Sequence, residues 1–379
     1  MIGEFKQIAA SLTNKYVSDW KAKGKSVIGY PCTFIPDEII HAAGMLPFRM
    51  RGVGTSSLSI GDTYFGPVIC SYPKCILQLA GQGDYRFLDG AVILNGCDSM
   101  RRLDECWRKA GIDYQGILPS YFHYFGVPHK VTDYSIAWFE DELKAFMKSI
   151  EDHFKVEITE TALRKSIGLY NVARRLLIEL DEMRSGDTTP VSGEEAAAII
   201  LAGFAIPREI YNELLSETIH ALKNNPSCSV TDGKKRIMVV GSTSDDLDFI
   251  RLIEESGCIV VADTMCFGSR SYSDLADEQA DPVSSLARHY LSHKFCPRMF
   301  GYYKERLSFM IEKALQARVD GVILQNIRFC DLHGSENGIF ERDLEAQGVP
   351  CMRMEREYGP LVETGRIKMR VDAFMERIA

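Results

Sequence analysis

Apolar residues fall along this chain in two patterns, as short uninterrupted runs and as longer stretches with helical spacing. The short runs at residues 26–30, 46–51, 236–240 and 258–263 predict strands, because strands of a parallel sheet are buried on both faces and read as continuous apolar segments. A helix is predicted between the two strands of each pair. This strand–helix–strand order favours parallel sheets with right-handed crossovers.

One strand unit occurs twice in the chain. Residues 89–98 read DGAVILNGCD and residues 320–331 read DGVILQNIRFCD, so each copy is an Asp-Gly turn, an apolar run and a Cys-Asp pair. The pair follows the carboxyl end of a buried strand, which is where open α/β sheets bind their ligands. The repeat therefore predicts two related lobes, with Cys97 and Cys330 facing a shared cleft.

Helical spacing dominates the stretch between the two lobes. Phe139, Leu143, Phe146 and Ile150 recur at the interval of one helix face, and Gly and Pro residues divide the stretch into several helices. We therefore predict an α/β protein with two flavodoxin- or Rossmann-like lobes, parallel sheets and a helical insert between them.

The same patterns predict the domain divisions. We expect a first α/β lobe at residues 1–135, a helical bridging region at 136–233 and a second α/β lobe at 234–379. The first lobe is expected to open with a helix over residues 5–23. The last helix, at residues 366–379, is expected to pack back across the lobe junction.

Composition narrows the classes of partner and compartment. The formal net charge is −8, the pI is about 5.6 and no Lys/Arg-rich run occurs, which argues against a nucleic-acid partner. No stretch has the length and apolarity of a membrane span or signal peptide, so we expect a cytoplasmic protein without a membrane partner. Eleven cysteines in a reducing compartment are expected to stay unpaired, most of them as small core residues.

The nucleotide-binding motifs are weak or missing. The loops at residues 29–33 and 241–244 each join a predicted strand to a helix and offer backbone N–H groups to an anion. Neither has the full G-x-G-x-x-G fingerprint of a dinucleotide site, and these 379 residues contain no Walker A motif. We therefore expect that the chain does not itself hydrolyse ATP.

Cysteine gives the stronger chemical signal. Cys70 follows a short apolar run and precedes a predicted helix, so it joins Cys97 and Cys330 as a third candidate thiol. Three thiolates from separate loops suit an iron–sulfur cluster that leaves one iron without a protein ligand. The alternative is three buried structural thiols. Cys266 and Cys296 lie in polar loops and are either ligands of a larger cluster or loop fillers.

Three histidines are weaker candidates for pocket residues. His41 is expected to pack on or cap a helix. His123 and His129 flank an aromatic segment and either line a pocket or pack against it.

Several blocks of this sequence resemble one known family. Residues 28–47, IGYPCTFIPDEIIHAAGMLP, resemble the N-terminal signature of the 2-hydroxyacyl-CoA dehydratase / benzoyl-CoA reductase family. The blocks at residues 70–71, 95–98 and 329–331 resemble the three regions of that family that carry its cluster cysteines. Residues 261–270 resemble a further block, so the likeness extends over essentially the whole chain.

The resemblance implies a smaller, beta-like iron–sulfur core subunit. Its 4Fe–4S cluster would be held by Cys70, Cys97 and Cys330. Its partners would be a related larger core subunit, forming a heterodimer, and a separate ATP-dependent iron–sulfur activator. The substrate would be an acyl-CoA, either a 2-hydroxyacyl-CoA dehydrated through a ketyl radical or an aromatic acyl-CoA such as benzoyl-CoA reduced in its ring.

Two departures from the family pattern leave alternatives open. One relative of the family carries a double-cubane cluster on additional cysteines; Cys32 resembles one such position, but residues 241–244 contain no cysteine, which favours a single cubane. Thr33 beside Cys32 offers a hydroxyl to the open iron, so both are candidate catalytic residues. The other possibilities are a double-cubane reductase of small molecules and a non-catalytic electron-relay subunit.

Overall fold

The computed structural model describes residues 1–224, 233–293, 295–359 and 363–378, and in them eight strands form two separate sheets. The strands are β1 Val27–Tyr30, β2 Leu46–Arg49, β3 Gly90–Leu94, β4 Tyr121–Phe125, β5 Lys235–Gly241, β6 Cys258–Thr264, β7 Gly321–Ile327 and β8 Cys351–Arg356. Every strand pairing is parallel. The predicted α/β architecture with two parallel-sheet lobes is therefore confirmed.

Helices connect and cover these strands. In the described residues they are α1 Ile2–Ala9, α2 Lys15–Ala22, α3 Asp37–Ala42, α4 Gly61–Tyr64, α5 Ser71–Gln82, α6 Asp98–Asp113, α7 Asp133–Phe154, α8 Glu160–Ser185, α9 Gly193–Ala202, α10 Arg208–Lys223, α11 Leu247–Glu254, α12 Pro282–Leu291, α13 Tyr303–Gln316, α14 Asp331–Glu345 and α15 Thr364–Arg377, with one short 3₁₀ turn at Ser269–Ser271. None of them is long and apolar enough to span a membrane.

The two sheets share one strand order. The first sheet runs β2-β1-β3-β4 and the second runs β6-β5-β7-β8. In each sheet the chain first adds a strand on one side of the starting strand and then continues on the other side. The loops after β1 and β3 therefore leave the first sheet in opposite directions at its carboxyl edge, and the loops after β5 and β7 do the same in the second sheet. Such a switch point leaves the crevice in which open α/β sheets bind ligands. The repeated Cys-Asp pairs follow β3 and β7, one beside each crevice.

Alternate residues of the central strands face two different cores. In β3, Ala91 and Ile93 pack into a core with α5, α6 and α9, whereas Val92 and Leu94 pack into a second core with α7. Helix α12 also joins this second core, although it lies late in the sequence. Both faces of the first sheet are therefore covered, as the continuous apolar strands require.

The bridging region consists of four helices, α7 to α10. They pack against both sides of the first sheet, and α8 and α9 also contact β6 of the second lobe. The predicted end of the region is residue 233, and residues 225–232 directly before it lie outside the described residues. The predicted domain boundaries themselves stay a prediction.

The single N-terminal helix predicted over residues 5–23 is wrong. The segment forms α1 and α2, because Asn14 begins a new helix by accepting hydrogen bonds from the backbone N–H groups of Tyr16 and Val17, at 3.0 and 3.1 Å. A side-chain oxygen at this position satisfies donors that have no intrahelical partner. The buried Arg51 donates to the carbonyls of Ala9 and Ser11 in the break, at 2.8 and 3.0 Å.

The expected packing of the last helix across the lobe junction is also wrong. Ile367, Val371 and Phe374 of α15 pack into a core with Val239 and Ile323 of the second sheet. These three residues form one apolar stripe of the helix, and that stripe covers the sheet of its own lobe.

Candidate functional site

A cavity lies where the carboxyl edges of the two sheets approach each other; it contains about 860 Å³ of empty space, part of it open to solvent, and its wall is mostly apolar. Six cysteines line it, drawn from both halves of the chain: Cys32, Cys70, Cys97, Cys266, Cys296 and Cys330. The ten cysteines in the described residues are all unpaired, as expected from the sequence. The shared cleft predicted from the repeated strand unit is thus present, and it contains more thiols than the repeat alone indicated.

Three of these thiols stand directly before helices. Cys70 precedes α5, Cys97 precedes α6 and Cys330 precedes α14, each in the N-cap position. A helix N-terminus presents unpaired N–H groups and a positive dipole end, so it favours a negatively charged sulfur. The structure therefore brings together the three cysteines that the sequence singled out, with three helix ends directed at one cavity.

Burial opposes ionisation of these thiols. It raises the pKa of Cys97 well above its usual value, raises that of Cys330 to about 12 and also raises that of Cys70. Nearby backbone N–H groups oppose this effect: that of Tyr72 acts to lower the pKa of Cys70, that of Met100 the pKa of Cys97 and that of His333 the pKa of Cys330. None of the three sulfurs caps its helix with a hydrogen bond. Since metals bind thiolates, loading this site would release protons.

The donor set fits an iron–sulfur cluster better than a single metal ion. Among the described residues, no three His, Cys, Asp or Glu side chains are close enough to bind one ion together. In a cluster each thiolate binds a different iron, so its ligands stay farther apart while they line one common space. Cys70, Cys97 and Cys330, on the wall of one cavity, are compatible with such an arrangement.

The loop after β1 brings the two other candidate residues to the cavity. Cys32 and Thr33 both line it, and burial raises the pKa of the Cys32 thiol to about 11. The Thr33 hydroxyl donates to the Cys266 carbonyl at 3.3 Å. The loop is held in place by the buried Tyr72 hydroxyl, which donates to the Pro31 carbonyl at 2.7 Å.

Cys266 and Cys296 reach the same wall from later loops. Cys266 lies two residues beyond β6, and Cys296 follows α12. The sequence left their role open between additional ligands and loop fillers. The sequence indicated a site role for them only weakly, because neither directly follows a β-branched run. Cys266 nevertheless lies, like Cys97, just past the carboxyl end of a strand, where open α/β sheets bind ligands.

The three histidines considered from the sequence do not line this cavity. His41 lies between Ser166 Oγ and Glu209 Oε1, at 2.9 and 3.2 Å. His123 packs on the Phe146 ring, with centroids 5.1 Å apart. His129 contacts the carbonyl of Arg298 at 3.1 Å through Nδ1.

Other cavity residues were missed by sequence reasoning. They are two histidines and three arginines: His293, His333, Arg49, Arg270 and Arg298. Isolated Arg and His residues in loops and at strand ends are usually solvated, so the pattern gave no reason to place them in a core. Only the strand order, which sets the residues that share an edge, could have identified them.

The fold and this cavity define a two-lobed α/β protein with a thiol-rich interlobe site. The chain belongs to the family described as 2-hydroxyglutaryl-CoA dehydratase, D-component, which matches residues 32–378. The match includes all six cavity cysteines.

Relatives cover most or all of the chain. It is 24% identical to the (R)-phenyllactyl-CoA dehydratase beta subunit of Clostridium sporogenes over 93% of this chain and 92% of that protein. It is 29% identical to a benzoyl-CoA reductase subunit of Thauera aromatica over 82% of this chain and 81% of that protein. It is 23% identical to the lactoyl-CoA dehydratase beta subunit of Anaerotignum propionicum over 100% of this chain and 98% of that protein.

Proposed function

We propose that this chain is an iron–sulfur core subunit of an acyl-CoA radical enzyme, either a 2-hydroxyacyl-CoA dehydratase or a related aromatic acyl-CoA reductase. The observation that carries the proposal is the convergence of Cys70, Cys97 and Cys330 at three helix N-termini around one cavity. These residues would hold a 4Fe–4S cluster. When bound, such a cluster supplies one-electron transfer and a Lewis-acidic iron.

The remaining residues of the wall would bind and enclose the reacting end of the thioester. The mostly apolar wall of the cavity would exclude water from the acyl group. Cys32 and Thr33 lie on this wall, and we assign them contact with the substrate or with the iron that lacks a cysteine ligand. The Thr33 hydroxyl could turn to such a ligand because its bond to the Cys266 carbonyl, at 3.3 Å, is long.

Two protein partners belong to the proposal. Each of the three relatives is named as one subunit of its enzyme, which supports a second, related core subunit. The electron is proposed to come from a separate ATP-dependent iron–sulfur activator, because the chain carries no Walker A motif. We further propose that the protein acts in an anaerobic cytoplasm, where such a cluster survives.

Anaerobic isolation of the chain with its co-purifying proteins tests this function. The expected result is about four irons per chain on one cubane, a second core subunit, and consumption of an acyl-CoA when the activator and ATP are added. A chain that contains no iron after anaerobic isolation and reconstitution would contradict the proposal. A complex that turns over substrate while this chain binds none in titration would assign it to electron relay instead.

A second function is favoured by one observation, the presence of Cys32, Cys266 and Cys296 on the same wall as the first three thiols. A double-cubane group needs this additional donor set, and the cysteine missing from residues 241–244 would be replaced by thiols from other loops. Such a chain would reduce small molecules and would hold about eight irons.

Iron analysis of matched variants separates the two functions. If Cys32, Cys266 and Cys296 hold a second cubane, Cys296→Ser should contain about half the iron of the wild-type chain. If only the first three thiols hold iron, Cys296→Ser should contain as much iron as the wild-type chain. Cys75→Ser is the control, since Cys75 is buried outside the cavity.

A further inference from the structure

Buried arginines divide into two groups in the described part of the chain. Six have a carboxylate oxygen within 4.0 Å: Arg51, Arg174, Arg184, Arg208, Arg306 and Arg356. The other three have no such partner among the described residues: Arg49, Arg270 and Arg298, which are 1%, 4% and 4% exposed. All three of these line the thiol cavity.

The cavity arginines hydrogen-bond to backbone carbonyls instead, and Arg49 also to a cysteine sulfur. Arg49, at the end of β2, donates to the carbonyl and the sulfur of Cys266, at 2.7 and 3.3 Å. Arg270 donates to the carbonyls of Gly241 and Phe295, at 2.7 and 3.3 Å. The Nε groups of both arginines have no partner among the described residues. Both guanidinium groups are thus held in position without a carboxylate from the described part of the chain to balance their charge, although the face of the Phe267 ring, 3.7 Å from the Arg49 guanidinium carbon, offsets part of it.

Arg298 spans the cleft in the opposite direction to Arg49. It comes from the second half of the chain and donates through Nε to the Gly96 carbonyl at 2.7 Å, directly before Cys97. It also donates to the carbonyls of Pro128 and Val127, at 2.8 and 2.9 Å. Arg49 thus reaches from the first lobe to a thiol of the second, and Arg298 reaches from the second to a thiol-bearing loop of the first.

An unpaired buried charge is costly, because the ion loses its hydration and gains no opposite charge. A guanidinium cannot escape this cost by losing its proton, since it remains charged in proteins. Three such charges around one cavity therefore indicate that its functional contents are negatively charged. Cysteine thiolates and sulfide ions, both bound to iron, would provide that charge.

We propose that Arg49, Arg270 and Arg298 are positioning residues that stabilise the negative charge of the thiolate-bound iron–sulfur group and so raise its reduction potential. Reduction adds a further negative charge, which nearby guanidinium groups stabilise. Net charge around the cluster is an established determinant of such potentials, and all three guanidinium groups lie on the wall of the cavity that would hold it. This inference rests on the proposed function, because it requires an iron–sulfur group in the cavity.

Redox titration of anaerobically isolated variants, followed by absorbance and electron paramagnetic resonance, tests the inference. Arg49→Met, Arg270→Met and Arg298→Met should each lower the equilibrium constant of one-electron reduction about tenfold, which is a shift of about 59 mV to more negative potential. The corresponding Lys variants keep the charge and should restore most of the wild-type potential. Arg184→Met is the control, because Arg184 is buried, paired with Asp181 and outside the cavity.

The outcomes separate this inference from the proposed function. A wild-type chain without iron contradicts the function itself. A loaded wild-type chain whose three Met variants titrate at the wild-type potential overturns only the role of the arginines. If the Met variants fold by circular dichroism but retain no iron, Lys variants that do retain it support a requirement for charge, and Lys variants that also lose it overturn the inference.

Discussion

The position of a sulfur relative to a helix end separates the cysteines of this chain into two kinds. Cys70, Cys97 and Cys330 precede helices and face the cavity. Cys258 and Cys351 each begin a strand, are 0% exposed and lie in cores of the second lobe. The first kind is the one that we propose for metal binding, and the second behaves as a small apolar side chain.

This difference predicts opposite results for two alanine variants. Cys97→Ala should abolish the brown colour and the cluster absorption, because no other described thiol precedes α6. Cys351→Ala should keep the absorption and lower the free energy of unfolding by about 1–3 kcal/mol, as for other core truncations. Iron analysis and visible spectra of both variants check this, and full iron content in Cys97→Ala would contradict the ligand assignment.

The half-buried side chain of His123 makes stability depend on pH. Burial, and to a lesser degree Arg108, lower the pKa of His123 from 6.5 to about 4. Above pH 6.5 the ring is neutral in both states; as the pH falls below 6.5 the unfolded chain binds a proton that the folded chain excludes, so stability decreases until about pH 4. The loss at about pH 5 should be roughly 2 kcal/mol.

Replacement of that ring isolates its contribution. His123→Phe keeps an aromatic ring beside Phe146 and should remove roughly 2 kcal/mol of the difference in unfolding free energy between about pH 7.5 and about pH 5. His220→Gln, on the exposed side of α10, is the control and should leave that difference unchanged. Urea unfolding at the two pH values measures both, and an unaltered pH dependence in His123→Phe would refute the assignment.

The three N-cap thiols could be found from the sequence because each follows a run of apolar residues, and such a run is visible in neighbouring positions of the chain. Sequence reasoning left Cys266 and Cys296 undecided and did not find Arg49, Arg270 and Arg298. Their positions depend on which loops meet across the lobes, and no local pattern carries that information. An arginine at a strand end is identical in sequence whether it is solvated or buried beside a thiol.

At the scale of elements, the strands were predictable because burial on both faces leaves continuous apolar runs. The ends of the helices were harder to predict. Asn14 interrupts an amphipathic stretch by capping α2 with its side chain, and the stretch on both sides keeps its helical spacing. The packing of α15 was mispredicted for a related reason: its apolar stripe shows that it covers a surface, but not which one.

The end of β5 contains an element-level constraint on glycine. Gly241 has φ +142°, and a Cβ there would lie 1.8 Å from the Gln325 carbonyl oxygen of β7. Gly257, before β6, has φ +81° and open space around it. Both positions disfavour an L side chain, but only Gly241 also faces neighbouring backbone that cannot move away without disturbing the sheet.

The two glycines therefore form a matched pair. Gly257→Ala should cost about 1 kcal/mol of unfolding free energy from backbone strain, whereas Gly241→Ala should cost about 3 kcal/mol or more because β5 and β7 must separate. The second variant should also lose iron, since Ser242 and Thr243 directly after it line the cavity. Equal unfolding midpoints for the two variants would show that the contact is relieved elsewhere.

At the scale of the whole molecule, the first lobe carries Cys70 but the second lobe helps to fix it. Ser71 Oγ donates to Glu357 Oε2 and accepts from the Tyr358 backbone N–H, both at 2.9 Å. The Tyr358 hydroxyl in turn accepts from the Gly52 N–H at 2.7 Å. The spacing of the thiols therefore depends on how the two lobes meet, and a site of this kind cannot be assembled by either lobe alone.

Turnover by the proposed enzyme is expected to need an energy source outside this chain. Forming a ketyl or ring radical from a thioester needs a very strong reductant, and iron–sulfur potentials extend only to about −700 mV. The three cavity arginines would raise the potential of the bound group, which makes unaided reduction of the substrate still less favourable. Turnover of an acyl-CoA by the anaerobic complex should therefore start when an ATP-dependent activator and ATP are added, and stop when ATP is removed. Dithionite alone should give no physiological turnover. If the isolated chain instead reduced a small molecule such as acetylene at a comparable rate without the activator, the six-thiol, double-cubane function would replace the acyl-CoA one.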